Sequence, residues 1–452
     1  MAKKRSLGKS LALGCGGLIL LVVVLVLAAY LGLRLTYGGR SRSALARLKA
    51  SGAPTTWEQV IPPPVPDDQN AALLYVNVFA FRARSKHGRV PISMGIPAEI
   101  ALKKYLAAST RRERKALETE ARQILAGNVN ALASLRDAAR LPKCRFNRDY
   151  RNPMDARYPE YVTLKDLSLL ASAQAVLRAD GGDIRGALEA WSLNLPMLDH
   201  LGTEPTLFGS FSRYFMLGTA ADALRPILQQ SRPTPEQCRS LAQALGKVHL
   251  DTELLKELEA ERTTSLWILD YVRRNPQSLS TQGSSPWIVV WYPLFADLDE
   301  AAMLGVWENQ MALLRKPYRQ IAGRLDTLES EQYSHVPGHA VITRAVGPRL
   351  GRQTMARDRA IARVGLMQIG LGLAAYRARQ AAYPDTLAAL RESLKWQVPQ
   401  DPFSGRDFVY HRKGAGYLLY SIGPNLKDDS GTPASNDPSG KPLGDIVWRV
   451  ER

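Results

Sequence analysis

The chain has 452 residues, a formal net charge of +18 and an apolar fraction of 45%. That length implies two or three domains, and that apolar content excludes wholesale disorder. The charge excludes less than it suggests, because half of it is local: residues 1–49 hold nine Lys/Arg and no acidic residue, leaving 51 basic against 42 acidic residues elsewhere. The remainder is scattered, with no dense basic run interleaved with aromatics, so nucleic acid is not an expected partner.

The basic tail, residues 1–10, leads into LALGCGGLILLVVVLVLAAYLGL, Leu11–Leu33, without a charge. At about 1.5 Å per residue such a helix crosses a hydrocarbon core of roughly 30 Å. A cleaved signal peptide would be shorter and end at small residues, whereas Tyr30, Leu31 and Leu33 run straight into Arg34. Cys15 precedes the apolar run instead of following it, the wrong order for a lipid-modified N-terminal cysteine. A single transmembrane helix is therefore expected, with the membrane as partner. Basic residues flank both sides; the short tail favours a cytoplasmic N-terminus and an exported bulk, and the charge rule leaves orientation open. Cys144 and Cys238 have no motif around them and are expected as buried free thiols, although a bridge in an oxidising compartment is the alternative.

Residues 34–66 read as a juxtamembrane linker, stiffened by Pro62-Pro63-Pro64 and Pro66. Asp68 is placed to cap a helix carrying Ala71, Leu74, Tyr75 and Val78. Residues 67–330 are predicted to form a helical domain. Its clearest unit has Asp180-Gly181-Gly182-Asp183 between two helices, the second burying Ile184, Ala187, Leu188, Trp191, Leu195 and Leu198. That stretch resembles one tetratricopeptide-type hairpin, with Ala187 and Trp191 at packing positions. No repeat at a fixed period follows it, so an irregular amphipathic helix pair stands beside the hairpin-repeat reading. Residues 331–352, rich in Gly and Pro, read as a connector.

Residues 353–452 change character. A long helix with Ile361, Val364, Leu366, Ile369, Leu373 and Tyr376 on one face ends before Tyr383-Pro384. The runs Phe408-Val409-Tyr410 and Tyr417-Leu418-Leu419-Tyr420 form a predicted β-hairpin, with Ile446-Val447-Trp448 as a third strand. The order is long helix into Tyr383-Pro384, short helix with Leu387 and Leu390, Asp401-Pro402 turn with Gly405, hairpin, Tyr420-Ser421-Ile422-Gly423, then Asp445-Ile446 and Trp448. This resembles the C-terminal domain of the major pseudopilin of type II secretion, over about residues 355–450. The fold class is thus mainly α: a transmembrane helix, a helical body and a small α+β pseudopilin-like domain.

The resemblance implies a calcium site in the loop after Tyr-Ser-x-Gly, because calcium takes several hard oxygen ligands from one compact segment. By position the ligands would be Asn425, Asp428, Asp429 and Asp445. Asn425 stands where the family has an aspartate, and the insertion SGTPASNDPSGKPL lengthens the loop, with Asp437 as a substitute ligand. Gly, Pro, Asn and Asp are also what ordinary turns use, so a plain polar turn remains the alternative. No other cofactor is expected. The resemblance fails at the N-terminus: Gly8 is followed by Lys9, and no acidic residue enters the apolar run, so prepilin processing is not implied.

Enzymatic signatures are sparse. Glu331, His335 and His339 have E-x₃-H-x₃-H spacing, but Pro337 and Gly338 prevent one helix face from presenting both histidines to zinc. His200 reads as a helix-terminal residue, and no GxSxG, phosphate-binding glycine loop or CxxC is present. The expectation is a membrane-anchored, non-catalytic envelope protein that binds other envelope proteins, associated with type II secretion or pilus-type machinery. An envelope hydrolase, with its active site among the helices, is the alternative.

Overall fold

The computed structural model describes residues 3–78, 94–108, 110–149, 158–282, 286–437 and 442–451. The side chains of 3–16, 18, 19, 29, 33, 36, 37, 77, 280–282, 286 and 287 lie outside that description. The protein is mainly helical with a small antiparallel sheet near its C-terminus. It divides into one unit of residues 1–59, 262–311 and 326–349, and a second of residues 60–261, 312–325 and 350–452.

The first unit contains helix α1 (Lys3–Ala50), a continuous helix that includes the predicted span. Among the described residues no helix is long and apolar enough to cross a membrane. Only part of the side chains of Leu11–Leu33 are described, that of Cys15 being among those outside.

In the second unit, α2 (Ala72–Asn77) is not capped by Asp68, which lies in a 3₁₀ turn, Asp67–Gln69. The N-cap position is Ala71, and the preceding Asn70 accepts at Oδ1 from the Ala72 N–H at 3.2 Å and the Arg145 N–H at 2.9 Å. The helix starts at Ala72, well after the start that a cap at Asp68 would set, because residues 67–69 form the 3₁₀ turn. Helices α3 (Ile96–Ala107), α4 (Arg111–Ala126) and α5 (Val129–Ala138) follow, α4 opening on a Thr110–Glu113 capping box. The centre is α6 (Pro159–Asp180), buried on nearly every side and packed against its neighbours, chiefly α7 (Ile184–Ser192) and α9 (Leu207–Gln230).

The hairpin at Gly182-Asp183 forms as expected, with the Asp183 Oδ1 accepting from the Gly186 N–H at 2.9 Å. Ala187 and Trp191 are fully buried, and the Trp191 Nε1–H donates to the Ala220 carbonyl at 2.7 Å. The predicted second helix is broken in two, α7 and α8 (Asn194–Leu201). Pro196 has no N–H to return to the Ser192 carbonyl, so the first helix ends there. Helices α10 (Pro235–Leu245) and α11 (Leu250–Arg274) come next, followed by α12 (Pro286–Leu314) and α13 (Tyr318–Ile321). Cys144 and Cys238 are buried free thiols.

The stretch expected as a connector holds two helical pieces, the end of α14 (Leu325–Ser334) and α15 (Val341–Val346). Their physical reason lies in the first unit: buried Asp299 of α12 accepts from the Ile342 and Thr343 N–H groups at 2.8 and 3.0 Å, capping α15 from outside its own sequence.

The long C-terminal helix is α16 (Gly351–Gln380), followed by α17 (Leu387–Leu394). Strands β1 (Val409–Lys413), β2 (Gly416–Ser421) and β5 (Ile446–Val450) form an antiparallel sheet in the order β1-β2-β5. A minor ladder joins β3 (Ser435–Asn436) and β4 (Pro442–Leu443). Three glycines of α16 admit aromatic rings against its backbone. A Cβ at Gly365 would lie 2.7 Å from the Phe408 ring, at Gly370 3.0 Å from Trp448, and at Gly372 2.8 Å from Trp396. Helix α16 also packs on α9 and α10, so one hydrophobic core runs from Ala71 to Val450.

Candidate functional site

The acidic loop is built from the end of β2. Asp401 is buried, and its carboxylate accepts from the Phe403 and Ser404 N–H groups, the Ser421 hydroxyl at 2.7 Å and the Ile422 N–H at 3.4 Å. This ties the Asp-Pro turn to the strand end and sets where the loop begins. Gly423, Leu426, Ser430, Gly431 and Gly444 then take positive φ, which folds the segment back on itself.

Of the four predicted ligands, the loop brings Asn425, Asp429 and Asp445 together. The Asn425 Nδ2 donates to Asp429 Oδ2 at 2.6 Å, and the Asp429 N–H donates to Asp445 Oδ1 at 3.3 Å. Asp445 is fully buried and also accepts from the Gly431 N–H at 2.7 Å. Asp428 instead accepts from the Tyr420 hydroxyl and the Ser430 N–H, both at 2.9 Å. Burial raises the proton affinity of Asp445, and the charges of Asp429 and Asp428 add to that rise. Asp437 follows β3, at the edge of residues 438–441, which lie outside the described structure. Among the described residues no group of three or more His, Cys, Asp or Glu is arranged to hold a metal ion. Most of the loop's carboxylate oxygens already accept hydrogen bonds from the loop itself.

Beside Asp445 lies a groove of about 320 Å³ lined by Asp222, Arg225, Arg363 and Arg449 among others.

A second constellation was not legible as a site. On α11, Glu253, Glu257 and Glu261 are four residues apart and share one face, which meets the first turns of α9. There Glu261 accepts from the Leu207 N–H at 3.2 Å, the Ser210 hydroxyl donates to Glu257, and Arg213 pairs with Glu253. Nearby, Arg148 pairs with Glu160 and, at 3.0 Å, with Glu204, while its guanidinium lies 4.4 Å from the centre of the Tyr158 ring. Burial pushes the Glu257 carboxyl up to about 8, against the opposing pull of Ser210 and Arg213. Among the described residues its Oε1 and the Tyr161 hydroxyl, both buried, have no hydrogen-bond partner, and both lie near Gly209, whose added Cβ would be 3.7 and 3.8 Å from them. The signal was the spacing Glu253-x₃-Glu257-x₃-Glu261, hidden because acidic residues at four-residue steps are commonplace on exposed helices.

The other candidates are structural. The His200 Nδ1 faces the Tyr75 hydroxyl at 2.8 Å and its Nε2 the Leu141 carbonyl at 3.0 Å; burial lowers its proton affinity. His335 Nδ1 sits 2.6 Å from the Glu331 carbonyl, on the backbone side and not as part of a ligand set. His339 stacks on Phe295, with ring centroids 6.0 Å apart.

Among the described residues, two stretches expose runs of large apolar side chains. Along α1, every residue from Leu20 to Leu27 is 47–65% exposed. On α9, Phe208 and Phe211 are exposed one turn apart, with Val162 of α6 also exposed and Phe215 one further turn along, flanked by the Lys103 and Lys165 ammonium groups at 5.0 and 5.4 Å from its ring.

No family model, curated protein or solved structure matches the chain.

Proposed function

We propose that this is a membrane-anchored envelope protein that acts by binding other proteins, with a pseudopilin-like C-terminal module, in association with type II secretion or pilus-type machinery. The observation that carries the reading is the run Leu20–Leu27. Eight consecutive residues span more than two helical turns, so the helix is apolar and exposed all round. Covering those side chains is worth on the order of 10 kcal/mol. A neighbouring helix covers one stripe; a lipid environment covers every face. The short basic tail favours a cytoplasmic N-terminus, which in this reading puts the bulk of the chain on the extracytoplasmic side.

The docking surface in this reading is the aromatic stripe Phe208, Phe211 and Phe215, rimmed by Lys103 and Lys165, a composition that suits an apolar, acidic-edged partner. A photo-crosslinking residue at position 211 of the full chain, in native membranes, is expected to give a discrete adduct, and one at exposed Val129 none. Absence of an adduct at 211 contradicts docking through this stripe.

Calcium belongs to the same proposal. What favours it is the proximity of buried Asp445 to Asp429 and Asp428, a concentration of like charge that a cation would relieve. In the detergent-solubilised full chain, millimolar calcium is expected to raise the thermal midpoint relative to chelator, through linkage, and Asp429→Ala to abolish the rise. An unchanged midpoint makes the loop a plain turn.

A further inference from the structure

We infer that the first turns of α12 form a second membrane contact, inserted shallowly into the lipid interface beside α1; this rests on the membrane reading of α1. The inference concerns the first unit alone and starts from the register of its two helices. Tyr30 meets Phe295 edge-on with ring centroids 6.5 Å apart, Arg34 pairs with Asp297 at 3.9 Å, the Ser41 hydroxyl donates to Glu300 at 2.7 Å, and Arg47 approaches Glu308 at 3.9 Å. Both sets of numbers rise together, so α1 and α12 run in the same direction.

Both helices also change character at one level. In α1 the charge-free run ends at Leu33 and the first charge is Arg34; in α12 residues 286–296 carry no charge and the first is Asp297. Arg34 and Asp297 are the pair in contact. Just beyond them Arg273 reaches both Asp297 and Glu300 at 2.9 Å, so a cluster of charges marks that level on both helices. On the apolar side of it, Val290, Trp291 and Leu294 are 66%, 45% and 39% exposed, and their spacing puts Trp291 one turn from Leu294 on one outward face.

The geometry sets a depth. Trp291 lies four residues before Phe295, and Leu33 three residues after Tyr30, so Trp291 stands about 10 Å inside the end of the apolar run at 1.5 Å per residue. That depth is shallow beside a hydrocarbon core of roughly 30 Å, and tryptophan and tyrosine favour the interfacial zone because one end of each is apolar and the other polar. The charge-free residues 286–296 rise about 16 Å as a helix, too short to span a bilayer, so this end of α12 enters alongside α1 without crossing. Continuity with Leu20–Leu27 identifies the occupant of this face as lipid.

The test uses the full chain with Cys15→Ala, in vesicles of phosphatidylcholine and phosphatidylglycerol, leaving the two buried thiols unlabelled. An environment-sensitive dye is attached in turn at Val24→Cys, Val290→Cys and Gly305→Cys, the last an exposed position of α12 with open space around it. Quencher-bearing lipids are expected to quench the dye at 24 and at 290 but not at 305, with 290 answering more strongly to a quencher near the headgroup than to one at the chain end. Quenching at 24 without quenching at 290 overturns the inference and leaves the anchor standing. No quenching at 24 removes the membrane reading and the inference with it. Dye–dye contact at 290 that grows with protein concentration, without lipid quenching, assigns the face to a second copy and also overturns it.

Discussion

The apolar stretch of α1 and the facing surfaces of α9 and α11 invert the usual rule of folding in opposite ways. In α1, Leu20–Leu27 leave large apolar side chains uncovered, whereas in the helical body Glu257, Glu261 and Arg213 are held away from water. The first costs free energy in water until something covers it, and the second costs free energy unless partners or neutralisation offset the desolvation. The contrast separates an environment written into exposed residues from a chemistry written into buried ones.

The largest expected effect sharpens the buried side. Glu257 has an ordinary carboxyl value of 4.5 when unfolded and about 8 when folded, so between those values the native state holds the extra proton. Stability from this group is therefore full below the lower value and lost as pH rises toward the upper one, by an amount on the order of a few kcal/mol. Glu257→Gln is expected to flatten the fall in chemical-denaturation stability between pH 5 and 8. An equally steep fall in the variant would place the pH dependence elsewhere, for example on Glu261 or Asp299, which burial shifts in the same direction.

Two glycines, one in each unit, provide a smaller test with opposite signs. Gly365→Ala forces a methyl to within 2.7 Å of the Phe408 ring and is expected to cost about 1–3 kcal/mol. Gly305→Ala, in a helix with nothing within 4 Å, is expected to stabilise by roughly 0.5–1 kcal/mol. Urea midpoints of the two variants check the pair; equal signs would contradict the close packing of α16 under its aromatics. An effect of similar size is local. Asp183→Ala removes the cap that receives the Gly186 N–H and is expected to cost about 1 kcal/mol, read from the same midpoints.

Legibility followed the range of the interactions. The Asp183 turn, the burial of Ala187 and Trp191, the long helix ending before Tyr383-Pro384 and the three-stranded sheet were readable because each depends on period, turn chemistry or proline within a few residues. The break at Leu193 was readable in principle from Pro196, which the continuous apolar stripe masked. The helix α15 was not, because its cap is Asp299, more than forty residues away. The same holds for the glycines of α16, whose spacing carries no meaning until Phe408, Trp448 and Trp396 are folded onto them. In the acidic loop, composition identified which residues gather but not which way each points: Asp428 turns to Tyr420, a choice set by strand register. The carboxylate face of α11 stayed hidden because spacing shows that three glutamates share a side, not that the side is buried. Likewise the apolar stretch PWIVVWYPLF went unread within the helical domain, because only the folded pairing of Tyr30 with Phe295 relates it to α1.

The central claim is that α1 holds the chain in a lipid bilayer, and flotation of the full-length protein with vesicles after washing in high salt and alkaline carbonate tests it most directly. Co-flotation that persists after both washes, and that is lost when Val22 and Val26 are each changed to Arg, is the predicted result. Each arginine adds roughly 2.5–3.5 kcal/mol to the insertion cost of such a segment. Release of the unaltered chain into the supernatant by either wash would contradict the account.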